Sequence, residues 1–185
     1  MAEDEVSRVV ALAWGVEAAP QRGPKRELTL ERIVDAAIEI ADAEGLAAVT
    51  MQRVAKTFGY TTMAMYRYVA TKDDLQQLMV DAVSAAPIVV DDEDWRAGLE
   101  QWASLLLGIY AAHPWVLDIP LSMETLLMPG QMRVADAALR AMRSLPVSPG
   151  ERLLLLMQLS THVRGVAVLL REMAGPAAIL GAATK

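Results

Sequence analysis

The chain has no cysteine, one phenylalanine and two histidines among its 185 residues. The lack of cysteine excludes a disulfide framework, thiolate-ligated zinc and a thiol nucleophile. The two histidines, His113 and His162, have no carboxylate at the i+4 spacing of a helical metal site, so no metal is expected. His113, followed by Pro114, reads as a helix-end residue with its ring on the last carbonyls. Nucleophile–base pairs, paired carboxylates and phosphate loops are missing at any recognisable spacing, which argues against an enzyme and leaves no cofactor to expect. Alternating β-branched runs are also lacking, and Ile88-Val89-Val90 is too short to count as a strand. No apolar stretch reaches the roughly 18 uncharged residues of a membrane helix. The richest window, Leu153–Leu170, is broken by Gln158, His162 and Arg164. Ala2, Glu3, Asp4 and Glu5 are the opposite of a basic signal-peptide head. The expectation is a soluble cytoplasmic protein with no membrane partner.

Apolar residues make up 54% of the chain and charged residues 22%. That supplies a sizeable core and, at this length, one or two domains. A net charge of −6 speaks against nucleic acid when taken globally. The distribution reverses this locally. Between Thr50 and Lys72 stand Arg53, Lys56, Arg67 and Lys72 with no acid, while the rest of the chain carries 13 basic and 23 acidic residues. A small positive island on an acidic body suits a DNA reader joined to a domain with another task.

Helical periodicity runs through the chain, which predicts an all-α protein of nine or ten helices. Val6, Val9, Val10 and Ala13 suggest a short amphipathic helix, followed by a linker at Gln21–Lys25. Leu30, Ile33, Val34, Ala37 and Ala41 form a stripe between a Thr29 cap and a Gly45 stop. A helix from Met51 to Phe58 is capped by Thr50 and ended by Gly59, and another covers Thr62–Val69. Thr71–Asp74 has capping-box spacing ahead of Leu75, Leu78, Met79, Ala82 and Val83. Asp91–Asp94 is an acidic helix start for the face Trp95, Leu99, Trp102, Leu106 and Ile109. Short helical pieces fill Trp115–Met128, Pro129-Gly130 reads as a turn, and Met132, Ala135, Leu139 and Met142 share the next helix. Ser148-Pro149-Gly150-Glu151 opens a last helix running to about Met173. The expected division is an N-terminal extension over 1–27, a DNA-binding domain over 28–86 and a helical ligand-binding and dimerisation domain over 91–185.

The segment Met51–Ala70 carries the functional signal. Small Ala55 admits close approach of a second helix, and Gly59 supplies the backbone of a tight turn. Val54, Phe58, Met65 and Val69 can form the shared core. Thr61, Thr62, Met63, Ala64, Tyr66 and Arg67 are left on an outward face able to lie in a major groove. Three ordinary helices of an α-bundle would give the same spacing, so spacing alone does not choose between the two. Leu28–Val83 resembles the N-terminal domain of the TetR family of bacterial transcriptional repressors. The resemblance rests on Ile33–Ala37, Glu44-Gly45-Leu46, Thr50, Val54-Ala55, Gly59-Tyr60-Thr61, Met65–Val69 and Lys72–Leu75, in order and at family-like spacing. Tyr110–Trp115 and Val163-Arg164-Gly165 are similar to the helical C-terminal domain of some members.

This resemblance implies a homodimer bound to a palindromic double-stranded operator and released from it by a small molecule. It implies that Thr50 and Gln52 touch phosphates or a base, that Thr61, Thr62, Met63 and Ala64 read bases, and that Tyr66 and Lys72 hold phosphates. With Arg53, Arg67 and Tyr68 these form the expected DNA-facing set. The chain departs from the family pattern at Tyr60, at Tyr68 where histidine is usual, and at Val69 where phenylalanine is usual. Only 12 residues follow Met173, so the final dimer-forming helix of many members is expected to be short or missing.

Three of the four tryptophans and many methionines lie in the C-terminal half. Such residues usually form core, but as a group they suit an apolar effector. The expected pocket is Trp102, Leu106, Tyr110, Trp115, Met123, Met128, Met157 and His162. The segment Leu153–Met157 is apolar on every side, so one face needs a partner. Leu153, Leu155, Leu156, Leu159, Val163, Val166 and Leu170 are the expected dimer interface. Two other readings stay open: a helical small-molecule-binding dimer that does not bind an operator, and a membrane-surface role resting on the N-terminal amphipathic helix.

Overall fold

The computed structural model describes residues 7–16 and 28–174. The N-terminal linker expected at Gln21–Lys25 lies outside them. Among the described residues there are helices and turns and no strands. The helices are α1 (Arg8–Ala13), α2 (Leu30–Glu44), α3 (Met51–Thr57), α4 (Thr62–Met65), α5 (Lys72–Val83), α6 (Trp95–Ala112), α7 (Met123–Leu126), α8 (Pro129–Ala141) and α9 (Pro149–Ala174). Two compact units result. One combines Met1–Val83 with Ile119–Gln131, and the other combines Ser84–Asp118 with Met132–Lys185. The chain therefore divides at more than the one place expected between 86 and 91, because Ile119–Gln131 packs with the first unit.

Local hydrogen bonding explains where most helices of the first unit begin and end. Thr29 Oγ1 accepts from the Arg32 amide at 3.3 Å, and α2 stops at Gly45 with φ of +84°. Thr50 Oγ1 accepts from the Arg53 amide at 3.1 Å and starts α3. Thr71 and Asp74 exchange two bonds, amide to side chain in each direction, at 3.0 and 3.1 Å. This capping box uses aspartate where glutamate is usual. Ile33 and Ala37 from α2, Val54 from α3, Met65 from α4, and Leu75 and Met79 from α5 bury completely and make the core of this unit.

The expected helix over Thr62–Val69 is only one turn long. Thr61 makes no side-chain cap, and after Met65 the bonding tightens, with the Tyr68 amide donating to the Met65 carbonyl at 2.9 Å. Pro129-Gly130 is not a turn. Pro129 is the first residue of α8, where a missing amide costs nothing, and the Gly130 amide donates to Asp81 Oδ1. The buried side of α8 is Val134, Ala137, Ala138 and Ala141, so the expected face is rotated: Met132 is exposed, and Ala135 and Leu139 are half-buried.

In the second unit Asp94 caps α6 by accepting from the Arg96 amide at 2.9 Å. The buried Trp102 of α6 donates from Nε1 to the Val134 carbonyl of α8 at 2.8 Å. Ser148 and Glu151 form the expected capping box of α9, at 2.7 and 3.3 Å. Helix α9 contains an 18-residue window with mean hydropathy 1.7, long and apolar enough by composition to cross a membrane. In this unit it packs on α6 through Leu156, Val163 and Ala167. Its Arg164 donates to the Leu117 carbonyl at 2.8 Å, and its Arg171 to the Pro114 carbonyl at 3.1 Å and the Asp118 carboxylate at 2.9 Å.

Candidate functional site

Helices α3 and α4 form a helix-turn-helix in the first unit. Ala55 is buried where the two meet, and its carbonyl accepts from the amides of Phe58 at 3.1 Å and Tyr60 at 3.0 Å. Gly59 makes the turn with φ of +72°, a conformation that a side chain would strain. Val54, Met65 and Val69 are fully buried behind it. Phe58 is half-buried, with the Arg32 guanidinium 5.3 Å from its ring centre. The buried positions of α4 and the turn after it fix what faces outward. Met63 is 74% exposed and Tyr66 46%. Thr61 and Arg67 are exposed beside them, and Thr62, Ala64 and Tyr68 are half-buried.

The expected DNA-facing residues fall on this unit with different degrees of freedom. Gln52 is exposed on α3. The hydroxyl oxygen of Thr50 is occupied by its cap bond, which leaves its hydrogen to donate outward. The guanidinium of Arg53 is held by the Glu44 carboxylate from the end of α2, both side chains about half exposed. Charge counting over Thr50–Lys72 missed this partner because Glu44 lies just outside the window. Lys72 is the first residue of α5, where its ammonium adds to the positive end of the helix dipole. Tyr60 is also 46% exposed beside this face, and the sequence signal for it was its place directly after the turn glycine.

The expected effector residues are divided between the two units. Met123 and Met128 belong to the first unit, Met123 exposed and Met128 buried. In the second unit Trp102 and Leu106 are packed core with Val134, Ala138 and Leu156. Trp115 is buried beneath α9, and Met157 points outward, 58% exposed. Tyr110 packs against this core. Burial pushes its phenol above the ordinary value, and the neighbouring Arg164 opposes that shift. What the second unit does contain is an open groove of about 430 Å³. Trp95, Leu99, Met142, Leu145, Leu155 and Leu159 make it apolar, and Gln158 and His162 are its polar groups. Of the expected pocket residues only His162 lines it.

The expected dimer residues also divide. Leu156 and Val163 are buried in the core of the second unit, which removes them from any outward face. Leu159, Val166 and Leu170 are half-buried, and Leu159 and Leu155 line the groove. The outward apolar surface of α9 is Leu153, Leu154, Leu155, Met157, Leu169 and Met173. The hydrophobic run alone could not separate these because α9 is apolar on several sides. Among the described residues no three His, Asp or Glu side chains cluster to hold a metal.

Comparison with known proteins places this geometry. Residues 33–78 match the family described as bacterial regulatory proteins, tetR family. The chain is 39% identical over 166 residues to the HTH-type transcriptional repressor DrrR1 of Streptomyces coeruleorubidus, covering 88% of this chain and 61% of that protein. It is 31% identical over 97 residues to an HTH-type transcriptional regulator of Saccharopolyspora erythraea, covering 51% of this chain and 41% of that one. The chain thus spans less than two thirds of the length of either relative. Its fold is similar to the TetR family protein ActR of Streptomyces coelicolor in complex with actinorhodin, with a TM-score of 0.72, 25% identity, and coverage of 84% of this chain and 75% of that one.

Proposed function

From the match of residues 33–78 to the tetR family of bacterial regulatory proteins, we propose that this chain is a ligand-responsive transcriptional repressor. It binds a palindromic operator as a homodimer in the cytoplasm and releases it when a small apolar effector binds. The observation that carries this reading is the outward face of α4 and its following turn, where Met63 and Tyr66 stay exposed while Met65 and Val69 lock the helix from behind. Large apolar side chains with no packing role, next to two threonines, suit contact with base edges and thymine methyls. Lys72, at the start of α5, suits a phosphate, which supplies affinity without sequence information.

The similarity to the DrrR1 repressor supports the sign of regulation. The complex of ActR with actinorhodin supports a small-molecule effector, and here the apolar groove of the second unit is the place proposed for it. The outward leucines of α9 support pairing of two copies. No catalytic role is assigned.

Selection of operator sequences from genomic fragments, followed by titration of the selected duplex, tests the proposal. Lys72→Ala should weaken binding to all sequences and lower the salt slope by about 1. Thr62 and Met63 substitutions should change the selected sequence. A wild-type protein that enriches no sequence and shifts no fragment, while still binding small molecules, is a helical ligand-binding protein without an operator.

A further inference from the structure

We propose that α1 and Trp14 form a latch that fixes the Ile119–Gln131 segment to α5, and that this latch sets how firmly the DNA-binding unit holds the Lys72 end of α5. Helix α1 has six residues, far below the roughly 12–15 at which isolated helices become even marginally stable. Its order therefore comes from packing. Val9, Val10 and Leu12 are buried, and α1 lies against both α5 and α7. Helix α7 is shorter still, with four residues, and Leu127 is its C-cap. Trp14 Nε1 donates to the Leu127 carbonyl at 2.8 Å across 113 residues of sequence. From the other side Gln77 Nε2 of α5 donates to Glu124 Oε2 at 3.3 Å, and Asp81 of α5 accepts from the Gly130 amide.

Ile119, Thr125 and Met128 of the segment are buried, whereas Leu121, Met123, Leu126 and Leu127 are each about half exposed or more. The stretch around these exposed side chains buries little of its own apolar surface, and such stretches open at lower free-energy cost than a packed core and supply the moving parts of switches. Helix α5 carries these anchors at Gln77 and Asp81, and Lys72 on its first residue. Loosening the anchors relaxes the helix whose start holds Lys72. The part of the proposal that concerns DNA rests on the operator-binding reading above; the part that concerns the latch does not.

Hydrogen exchange on the full chain separates the two. Trp14→Phe keeps an aromatic ring and removes the Nε1 donor, and Val9→Ser with Val10→Ser removes the packing. Both variants should speed amide exchange in peptides covering residues 119–131, by roughly 2- to 10-fold for the loss of one hydrogen bond, and leave peptides of α6 unchanged. Both should weaken binding to the selected operator by a similar factor. Exchange in 119–131 that matches the wild type in both variants overturns the latch. Faster exchange with unaltered operator affinity overturns its link to DNA binding. If the wild-type protein binds no operator, the operator-binding reading fails and with it the link to DNA, while the exchange rates still decide the latch.

Discussion

The Glu44 carboxylate, on the last residue of α2, holds the Arg53 guanidinium on the first turn of α3. The pair joins two helices of the first unit and takes one cation out of a cluster that looks wholly uncompensated in the sequence. Both side chains are about half exposed, so water screens the pair and it contributes little to stability.

Glu44→Gln should therefore cost at most about 1 kcal/mol of folding stability while freeing Arg53 for phosphate. Affinity for the selected operator should rise, and the slope of log K against log salt should steepen by up to about 1. Anisotropy titrations between low and moderate salt measure both. A slope equal to wild type would show that Arg53 gains no phosphate when released.

Gly98 lies inside α6, where alanine is ordinarily better by about 1 kcal/mol. Here a Cβ would collide with the Asp91 carbonyl oxygen and lie 2.8 Å from the Ala141 Cβ. Gly98→Ala should destabilise the protein by about 1–3 kcal/mol, the usual cost of overpacking. Urea denaturation reads this directly, and a variant more stable than wild type would show that the packing relaxes without strain.

Pairing through α9 is best tested at its outward leucines. Leu153 and Leu154 are 51% and 61% exposed, whereas Leu156 is core. Leu153→Glu with Leu154→Glu should shift sedimentation at micromolar concentration from dimer to monomer and leave the helical circular dichroism unchanged. Leu156→Glu should instead unfold the second unit. A doubly substituted protein that stays dimeric places the interface elsewhere.

Acid should loosen the starts of α6 and α9. Amides of Asp94 and Glu93 hold the Asp91 carboxyl below its ordinary value, and the Ser148 amide and hydroxyl do the same for Glu151. Both groups bind protons less readily in the folded state than in the unfolded one. Their stabilisation is thus complete above the unfolded carboxylate pKa, near 4, and is lost as pH falls through the lowered folded values. Asp91→Asn and Glu151→Gln should flatten the fall in melting temperature between pH 5 and 3, by roughly a few degrees at most. An acid profile identical to wild type would mean that other carboxylates govern it.

Much of the fold was legible because its signals are local. The Thr29 and Thr50 caps, the Thr71–Asp74 and Ser148–Glu151 boxes and the Gly45 and Gly59 stops each depend on partners within three or four residues. The helix-turn-helix was legible for the same reason, since Ala55, Gly59 and Met65 lie within one short stretch. Helix α4 came out shorter than expected because the bonding tightens after Met65, where the Tyr68 amide donates to the Met65 carbonyl. The apolar groove of the second unit was not legible. Tryptophan and methionine counts cannot tell a filled core at Trp102 from a groove beside Trp95.

The sequence by itself determined the all-helical class, most helix starts and the helix-turn-helix, because periodicity and capping act over one or two turns. Only the tertiary structure decided that Arg53 is paired, that Leu156 and Val163 face inward while Leu153 and Leu154 face out, and that Trp14 reaches Leu127. Each of these depends on which side of a helix meets another element far along the chain. On a helix that is apolar nearly all round, such as α9, side-chain chemistry does not single out that side; the packing of α6 against it does.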